Sequence, residues 1–219
     1  MKEVGDGVWQ LEGTGRWSNA FLVRAPESVL LDAGTPGGGY EIVAELEREG
    51  ITPVAVLLTH SHFDHAGGAG AVREAMGAPI WAPAAERPLF SGKATHRFCA
   101  RAGARLANGL RPVVLPEVDR WLEPGEVAAG LEAVATPGHT PGHTAYRLGS
   151  TIVAGDAFMT GARFREAVPV FVADRAEARR SIERLAALDL DLALSGHGPP
   201  ARDAQEKLAA LAASWGPSA

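Results

Sequence analysis

The sequence predicts one domain of mixed α and β structure with a polar site at the ends of its strands. Short apolar runs separated by turn residues alternate with amphipathic helical patterns, and each half of the chain gives strands first and then a helix. Four side chains able to bind a metal fall within six residues, directly after one of the apolar runs. Together these observations predict a sheet-based core with chemistry at one edge.

Length and composition limit the classes of protein to consider. At 219 residues the chain suffices for a large core, and we expect a single domain over residues 1–219. Its 46% hydrophobic and 21% charged residues are typical of an ordinary soluble globular protein. The net charge of -5 argues against a nucleic-acid partner. We expect a monomer or a homodimer on general grounds.

The chain shows no targeting or membrane signal. Its first nine residues lack an apolar leader, and no run of 18 apolar residues occurs, so we expect neither secretion nor a membrane span. One cysteine, Cys99, excludes an internal disulfide and fits the reducing cytoplasm, which is the expected location. We interpret Cys99 as a packed or incidental thiol.

The first half of the chain predicts strands followed by a helix. Apolar or alternating runs predict antiparallel strands at 8–11, 20–23 and 29–31. A helix is expected over 39–49, because Ile42, Val43 and Leu46 share one face and Gly50 provides a stop. The run 54–58 reads as a buried strand, and 71–76 and 80–81 as a short helix and a strand. Trp17 lies in a glycine-containing hairpin, where covering the core edge is slightly favoured over capping a substrate.

The second half repeats this organisation. Strands are predicted at 113–115, 131–135, 145–148, 151–154 and 190–194. A helix begins after Asp174, with Glu177 three positions later in a capping-box arrangement, and a last helix is expected over 201–213. Between the halves, segment 84–111 is basic, and Arg97, Arg101 and Arg105 recur every four residues on one helical face. Such a face is usually solvated; the alternative is that part of it meets an anionic substrate group.

The metal-capable cluster follows the strand at 54–58. His60 and His62 are two residues apart, which on an extended strand end points both imidazoles to one side and suits a single metal ion. Asp64 and His65 come after the chain begins to turn, so they can reach a second point a few Å away. Three histidines and a carboxylate packed this tightly favour a metal site over solvated loop residues.

Three more candidates follow strands in the second half: His139, Asp156 and His197. A glycine immediately precedes each of them, which lets the backbone turn tightly at the end of the strand. His143 lies four residues after His139, and His96 lies within the basic segment without a partner pattern. For His96, solvated and substrate-facing positions both remain open.

These residues form four ordered motifs that resemble the metallo-β-lactamase fold superfamily over about residues 5–200. The motifs are Thr59-His60-Ser61-His62-Phe63-Asp64-His65, Gly138-His139-Thr140-Pro141-Gly142-His143, Gly155-Asp156 and Ser195-Gly196-His197. The resemblance implies an α+β fold of the αββα type: two mixed β-sheets face to face, helices on both outer sides, and metals along one edge. It also implies that His143 supports the site structurally.

The resemblance assigns a role to each ligand candidate. It implies that His60, His62 and His139 hold one metal, while Asp64, His65 and His197 hold a second, with Asp156 bridging the two. Three imidazoles with an open position are typical of a catalytic zinc site, and two bridged ions ~3.5–4 Å apart suit attack by a shared water. We expect two Zn²⁺, with iron or manganese as alternatives.

The expected reaction is hydrolysis of a small thioester, lactone or carboxylic ester by metal-activated water. Asp64 and Asp156 are the predicted catalytic residues, which orient the water and shuttle its proton. The chain is similar to N-acyl-homoserine lactonases and to glyoxalase II, although Met159 stands where the lactonases carry a tyrosine. We expect a small-molecule substrate, with an anionic one as an option, and neither nucleic acid nor membrane as partner.

Two other classes of function remain. A mononuclear iron oxygenase of the persulfide dioxygenase type keeps the same residue types, so the sequence alone does not separate iron from zinc. His62 argues against flavodiiron proteins, which carry glutamate there, and the acidic chain lacks the recognition arm of ribonuclease Z. A non-catalytic metal-binding module is least favoured, because all seven ligand positions are filled.

Overall fold

A computed structural model describes residues 1–5, 7–12, 17–24, 27–96, 98–109 and 113–216. For residues 98, 99, 100, 104 and 107 only the backbone is described, so the prediction for the Cys99 thiol lies outside this part of the chain. The predictions for Arg97, for Arg111 and for most of the expected hairpin, residues 13–16, also lie outside the described residues.

The first half of the chain builds a seven-stranded mixed sheet in which the strands follow one another in chain order, β1 to β7. Its strands are β1 (Lys2–Gly5), β2 (Val8–Gln10), β3 (Phe21–Arg24), β4 (Ser28–Leu31), β5 (Ala55–Leu57), β6 (Ile80–Pro83) and β7 (Arg120–Leu122). The first four strands pair antiparallel, whereas β4 to β7 run parallel. The carboxyl ends of β4, β5 and β6 therefore lie at one edge.

Helices follow these strands along the chain. They are α1 (Pro36–Arg48), α2 (Phe63–Ala66), α3 (Ala69–Met76), a 3₁₀ turn at Ala84–Glu86, α4 (Arg87–Phe90) and α5 (Phe98–Ala107). Thr35 caps α1, because its side chain accepts a hydrogen bond from the Gly38 N–H at 3.1 Å. This cap starts the helix three residues before the predicted start.

The second half forms a five-stranded sheet in the order β12-β11-β10-β9-β8. Its strands are β8 (Val127–Ala128), β9 (Leu131–Ala135), β10 (Thr144–Leu148), β11 (Thr151–Gly155) and β12 (Leu192–Ser195), with helices α6 (Arg175–Ala186) and α7 (Ala204–Ala213) and a 3₁₀ turn at Pro169–Phe171. β11 and β12 are parallel, and the other pairs are antiparallel. Asp174 caps α6 as expected, accepting from the Glu177 N–H at 3.0 Å.

Alternation along the strands separates three apolar cores. In β4, Leu30 faces α1 and α3, whereas Val29 and Leu31 face the second sheet. In β11, Val153 faces the first sheet and Ile152 faces α6 and α7. The molecule therefore has four layers, helices, sheet, sheet and helices, and the predicted αββα class is confirmed.

Hydrogen bonds join the two sheets close to the predicted metal cluster. Tyr146 of β10 is fully buried, and its hydroxyl donates to the Leu58 carbonyl at 2.9 Å. The Thr144 N–H donates to the Thr59 carbonyl at 3.0 Å. These bonds fix the chain that leads into His60 against the second sheet.

Several predicted elements differ from the structure. The strand expected at 113–115 is wrong, because this segment has no regular structure and the strand that completes the sheet is β7. β7 has only three residues and begins with an exposed arginine, so it lacks the apolar pattern by which a strand is predicted. The helix expected from residue 201 begins at Ala204, and the strand expected from 190 begins at Leu192. Within the described residues no helix is long and apolar enough to cross a membrane.

Candidate metal centre

All seven ligands predicted from the sequence lie together at one edge of the two packed sheets. The first sheet contributes the four residues that follow β5, and the second sheet contributes one residue each after β9, β11 and β12. They form two groups whose ligand atoms lie within 4.8 Å of one another: His60, His62, His139 and Asp156, and then Asp64, His65 and His197.

The first group is built from an extended segment and a strand end. His62 Nδ1 lies 2.9 Å from His139 Nε2, and the rings of His60 and His62 are 4.7 Å apart. His139 Nε2 is also 3.2 Å from Asp156 Oδ2. Three imidazoles and a carboxylate therefore converge on one point, as the spacing of His60 and His62 predicted.

The second group follows a change of direction in the chain. α2 begins at Phe63 directly after His62, so Asp64 and His65 lie on a helical turn rather than on the extended segment, and the ring of His65 stays 4.3 Å from that of His60. His197 Nε2 lies 3.6 Å from Asp64 Oδ2 and 3.4 Å from Asp156 Oδ2, and His65 Nε2 lies 3.3 Å from Asp156 Oδ1. The Asp156 carboxylate thus reaches both groups.

Asp156 owes its position to a glycine. Gly155 has φ +48°, a left-handed conformation that favours glycine, and a Cβ there would come within 2.8 Å of His143 Nε2. That His143 nitrogen accepts the Asp156 N–H at 2.9 Å, while Nδ1 of the same ring lies 2.8 Å from Thr136 Oγ1. His143 is fully buried and supports the backbone of Asp156, which agrees with the structural role expected for it.

Asp32 is a functional residue that the sequence analysis missed. Its Oδ2 lies 2.7 Å from His65 Nδ1 and accepts the Thr59 hydroxyl at 2.8 Å, while its Oδ1 accepts the Thr59 N–H at 2.8 Å. In the sequence, the only indication of this role is that Asp32 directly follows the apolar run of β4. Its left-handed backbone conformation (φ 56°) cannot be predicted from the sequence.

These bonds fix the tautomers of two ligand candidates. Because the Thr59 hydroxyl donates to Asp32, its oxygen must accept from His60 Nδ1, 2.9 Å away. His65 Nδ1 likewise donates to the Asp32 carboxylate. In His60 the Nε2 lone pair is therefore the free one, and the Asp32 carboxylate orients one ligand candidate in each group.

Buried polar atoms without hydrogen-bond partners test whether a metal fits. Among the described residues these include His60 Nε2, His65 Nε2 and Asp156 Oδ1. A buried acceptor without a partner is costly, and it is unusual for three of them to converge, two from the segment after β5 and one from the end of β11. Imidazole nitrogens and carboxylate oxygens are ligands of zinc and iron, so the residues fit such ions.

Protonation of the first group also suits a metal. Burial, together with the neighbouring histidines, lowers the pKa of His60 and of His62 well below the usual value. Burial lowers the pKa of His139 to about 4 and that of His143 to about 3. These rings are neutral near pH 7, and the neutral imidazole is the form that binds metal ions.

Carboxylates surround the two histidines of the second group. Burial acts to lower the pKa of His65, but Asp156 and Asp32 outweigh it and raise the pKa well above its usual value. For His197, burial is likewise outweighed, chiefly by Asp156, and its pKa is raised. Burial raises the pKa of Asp64, to which the charge of Asp156 adds. Carboxylates in this arrangement favour a cation between them.

Glu86 is a second residue that the sequence analysis missed. Its side chain is fully buried, and it accepts the Ser61 N–H at 2.9 Å, the Ser61 hydroxyl and the Gly142 N–H at 2.8 Å. One carboxylate thus ties the loop of His60 and His62 to the loop that carries His139.

A cavity of about 960 Å³ opens onto the candidate metal centre. Trp17 lines it, is half exposed and contacts Phe63 at a ring distance of 5.9 Å, so the slightly favoured core position of Trp17 is wrong. His96 also lines the cavity; its Nε2 lies 3.2 Å from the Ser61 carbonyl, and its ring is 4.6 Å from that of His62. His96 therefore faces the cavity.

Comparison with known proteins gives a consistent picture. The family model described as Metallo-beta-lactamase superfamily matches residues 13–197. The curated protein "Probable metallo-hydrolase YflN" of Bacillus subtilis (strain 168) is 32% identical, covering 90% of this chain and 86% of its own length. "Hydroxyacylglutathione hydrolase" of Brucella ovis is 31% identical over 80% of this chain, which spans 60% of that relative.

The solved structures include a close match in fold. "Crystal structure of TTHA1623 in a di-iron-bound form" superposes with a TM-score of 0.70 at 31% identity, covering 86% of this chain and 91% of that one. The iron in that structure belongs to TTHA1623. For the present chain, the family match and the convergent histidine and aspartate side chains point to divalent metals.

Proposed function

Because the chain belongs to the metallo-β-lactamase superfamily, we propose that it hydrolyses a small thioester, lactone or carboxylic ester with two metal ions, zinc in the first place. Hydrolase activity in general is supported by the curated relatives, which are metallo-hydrolases by name. Two zinc ions and the carbonyl-ester substrate are the additions that we make.

One observation carries the proposal. The Asp156 carboxylate lies 3.2 Å from His139 Nε2 in the first group and 3.3 Å from His65 Nε2 in the second. A carboxylate shared between two clusters of imidazoles is the arrangement that two bridged ions need.

The roles of the residues follow from their positions. His60, His62 and His139 would hold the first ion and Asp64, His65 and His197 the second, with Asp156 between them. Metals bound here would lower the pKa of a water toward neutrality and polarise the substrate carbonyl. Asp64 and Asp156 orient that water and accept its proton. The carbonyl carbon gains the water oxygen as the ester or thioester bond breaks, giving a carboxylic acid and an alcohol or thiol.

Metal analysis and a substrate panel test this function together. Protein purified without added metal should contain two zinc per chain, and it should hydrolyse members of a panel of thioesters, homoserine lactones and aryl esters. A chelator should abolish hydrolysis, and zinc should restore it. One iron per chain, with oxygen uptake on glutathione persulfide, would instead establish the oxygenase alternative and refute the proposal.

Variants of the two carboxylates sharpen the test. Asp64→Asn should lose at least about 100-fold in kcat, since it removes both a ligand and a group that handles the proton. Asp191→Asn is the matched control, because Asp191 is an exposed carboxylate paired with Arg202 far from the centre. Equal activity of the two variants would contradict the assigned role of Asp64.

A further inference from the structure

The cavity is larger than a short acyl group requires. Its floor includes His62, Asp64 and His139, so a substrate within it lies directly against the candidate metal centre. A volume of about 960 Å³ is at the upper end of small-molecule sites. A two- or three-carbon acyl group would leave most of this space open to water.

The walls of the cavity are mainly apolar, although they face solvent. Trp17 is 50% exposed, Leu106 73%, Val168 46% and Phe171 37%, and all four line the cavity. Large exposed apolar side chains gathered at one opening indicate a ligand with an apolar part. The walls come from α5 and from the 3₁₀ turn at Pro169–Phe171, which contact each other.

Two cations interrupt this apolar surface. Arg101 and Arg105 lie one turn apart on α5, both are exposed, and both line the cavity. Neither has an ion-pair partner among the described residues, whereas every arginine of α6 pairs with Glu166 or Glu177. The charge of Arg101 and Arg105 is therefore available to a ligand.

We propose that this cavity binds an amphiphilic acyl substrate, with an apolar chain against Leu106 and Phe171 and an anionic group paired with Arg101 and Arg105. The proposal rests on the hydrolase function above, since it names the substrate class of that reaction. A carboxylate, sulfonate or phosphate on the substrate satisfies the two arginines, and Arg pairs well with each. Purely polar or cationic esters are poor ligands of this surface.

Binding of simple amphiphiles tests the proposal without turnover. Octanesulfonate and octanol share a chain and differ in charge, and a sulfonate is a weak ligand for metals, so it reports on the arginines. Titration calorimetry on the metal-loaded protein should show tighter binding of octanesulfonate than of octanol. Arg101→Ala/Arg105→Ala should weaken octanesulfonate binding about tenfold and leave octanol binding within about twofold.

Two further variants separate charge from packing. Arg48→Ala/Arg202→Ala removes the same total charge at exposed positions on other parts of the surface, and it should leave both affinities unchanged. Leu106→Ala should weaken both ligands about threefold, because it trims a wall that each chain contacts. Since Leu106 is 73% exposed, this change leaves the fold intact.

The outcomes decide between the two proposals. Wild-type affinity of the Arg101→Ala/Arg105→Ala variant for octanesulfonate overturns the substrate class, as does failure of both amphiphiles to bind. Sedimentation with phosphatidylglycerol vesicles in place of binding to the monomeric sulfonate would show a lipid surface as the occupant and also overturn it. Hydrolysis of the ester panel without amphiphile binding leaves the proposed function standing, whereas binding without hydrolysis refutes that function and keeps the cavity only as a binding site for amphiphiles.

Discussion

Asp32 Oδ2 lies 2.7 Å from Nδ1 of His65 and, through the hydroxyl of Thr59, also sets the tautomer of His60. One carboxylate on the first sheet therefore orients a ligand candidate in each of the two groups. Coupled orientation of this kind makes the geometry of the two groups interdependent, although Asp32 belongs to neither.

Asp32→Asn should weaken metal binding by about 10- to 100-fold, since an amide cannot accept from both Thr59 donors and His65 at once. Asparagine tolerates the left-handed backbone of position 32 (φ 56°), so the effect arises from chemistry rather than strain. Competition with a chromogenic chelator measures the affinity. Asp191→Asn, at an exposed ion pair, serves as control, and equal affinities in the two variants would refute the role of Asp32.

Glu86→Gln should lower the free energy of unfolding by about 2 kcal/mol. Each oxygen of the Glu86 carboxylate accepts a hydrogen bond from a backbone N–H, and the NH₂ group of glutamine would place a second donor against one of these N–H groups. The measurement is urea denaturation, read as a shift in the midpoint at constant slope. Glu132→Gln, whose carboxylate is exposed and 3.9 Å from Arg147, should change stability by less than about 0.5 kcal/mol. A Glu86→Gln protein as stable as the control would contradict the three-donor bond network.

Gly196→Ala should disrupt the candidate metal centre by lack of space. A Cβ at this position would come within 2.5 Å of Asp156 Oδ1 and of His65 Cε1. We expect about 1–3 kcal/mol of destabilisation and loss of metal at equilibrium. Gly70→Ala is the matched change: it lies inside α3 with nothing within 4 Å, and it should stabilise the protein by about 0.5–1 kcal/mol. If Gly196→Ala keeps its metal, the close packing of Gly196 against Asp156 and His65 is wrong.

Glu166 predicts a pH dependence of stability outside the metal centre. Partial burial acts to raise its pKa, but hydrogen bonds from Arg175 and Arg179 outweigh this and lower the pKa to about 2 from an ordinary value of 4.5. A depressed pKa contributes stability that is fully present above pH 4.5 and is lost as the pH falls toward 2.

The test is the difference in unfolding free energy between wild type and Glu166→Gln. This difference should be constant from about pH 5 to pH 7 and shrink steadily below about pH 4.5, and the titration of other groups cancels in it. Urea denaturation at a series of pH values measures it. A difference that grows on acidification would have the wrong sign for this ion-pair network.

The ligand candidates could be predicted because their signal is local. His60 to His65 are closely spaced, and Gly155 and Gly196 mark the strand ends that carry Asp156 and His197. These ligand candidates lie together because the strands that precede them all end at the same edge of the molecule. The motifs therefore predict which side chains form the centre, and the arrangement of the strands determines how these side chains meet.

Other residues could not be predicted because their signal is not local. Asp32 and Glu86 act on partners 25 to 56 residues away, and an isolated acid beside a strand or turn looks like a solvated one. The prediction for Trp17 is wrong because it rests on a general tendency: large aromatic side chains usually pack in the core. Here Trp17 contacts Phe63 and lines the cavity instead. The assignment of one domain to residues 1–219 and the expected partners stay predictions.

The origin of the ligands on two different sheets links metal binding to the stability of the whole fold. Ions held between the end of β5 and the ends of β9, β11 and β12 would bind only when both sheets are packed, so their binding energy would add to the free energy of unfolding. At a metal concentration about 1,000 times Kd this addition is about 4 kcal/mol per site. Metal supply would then control how much folded protein a cell maintains, as well as how fast that protein turns over its substrate.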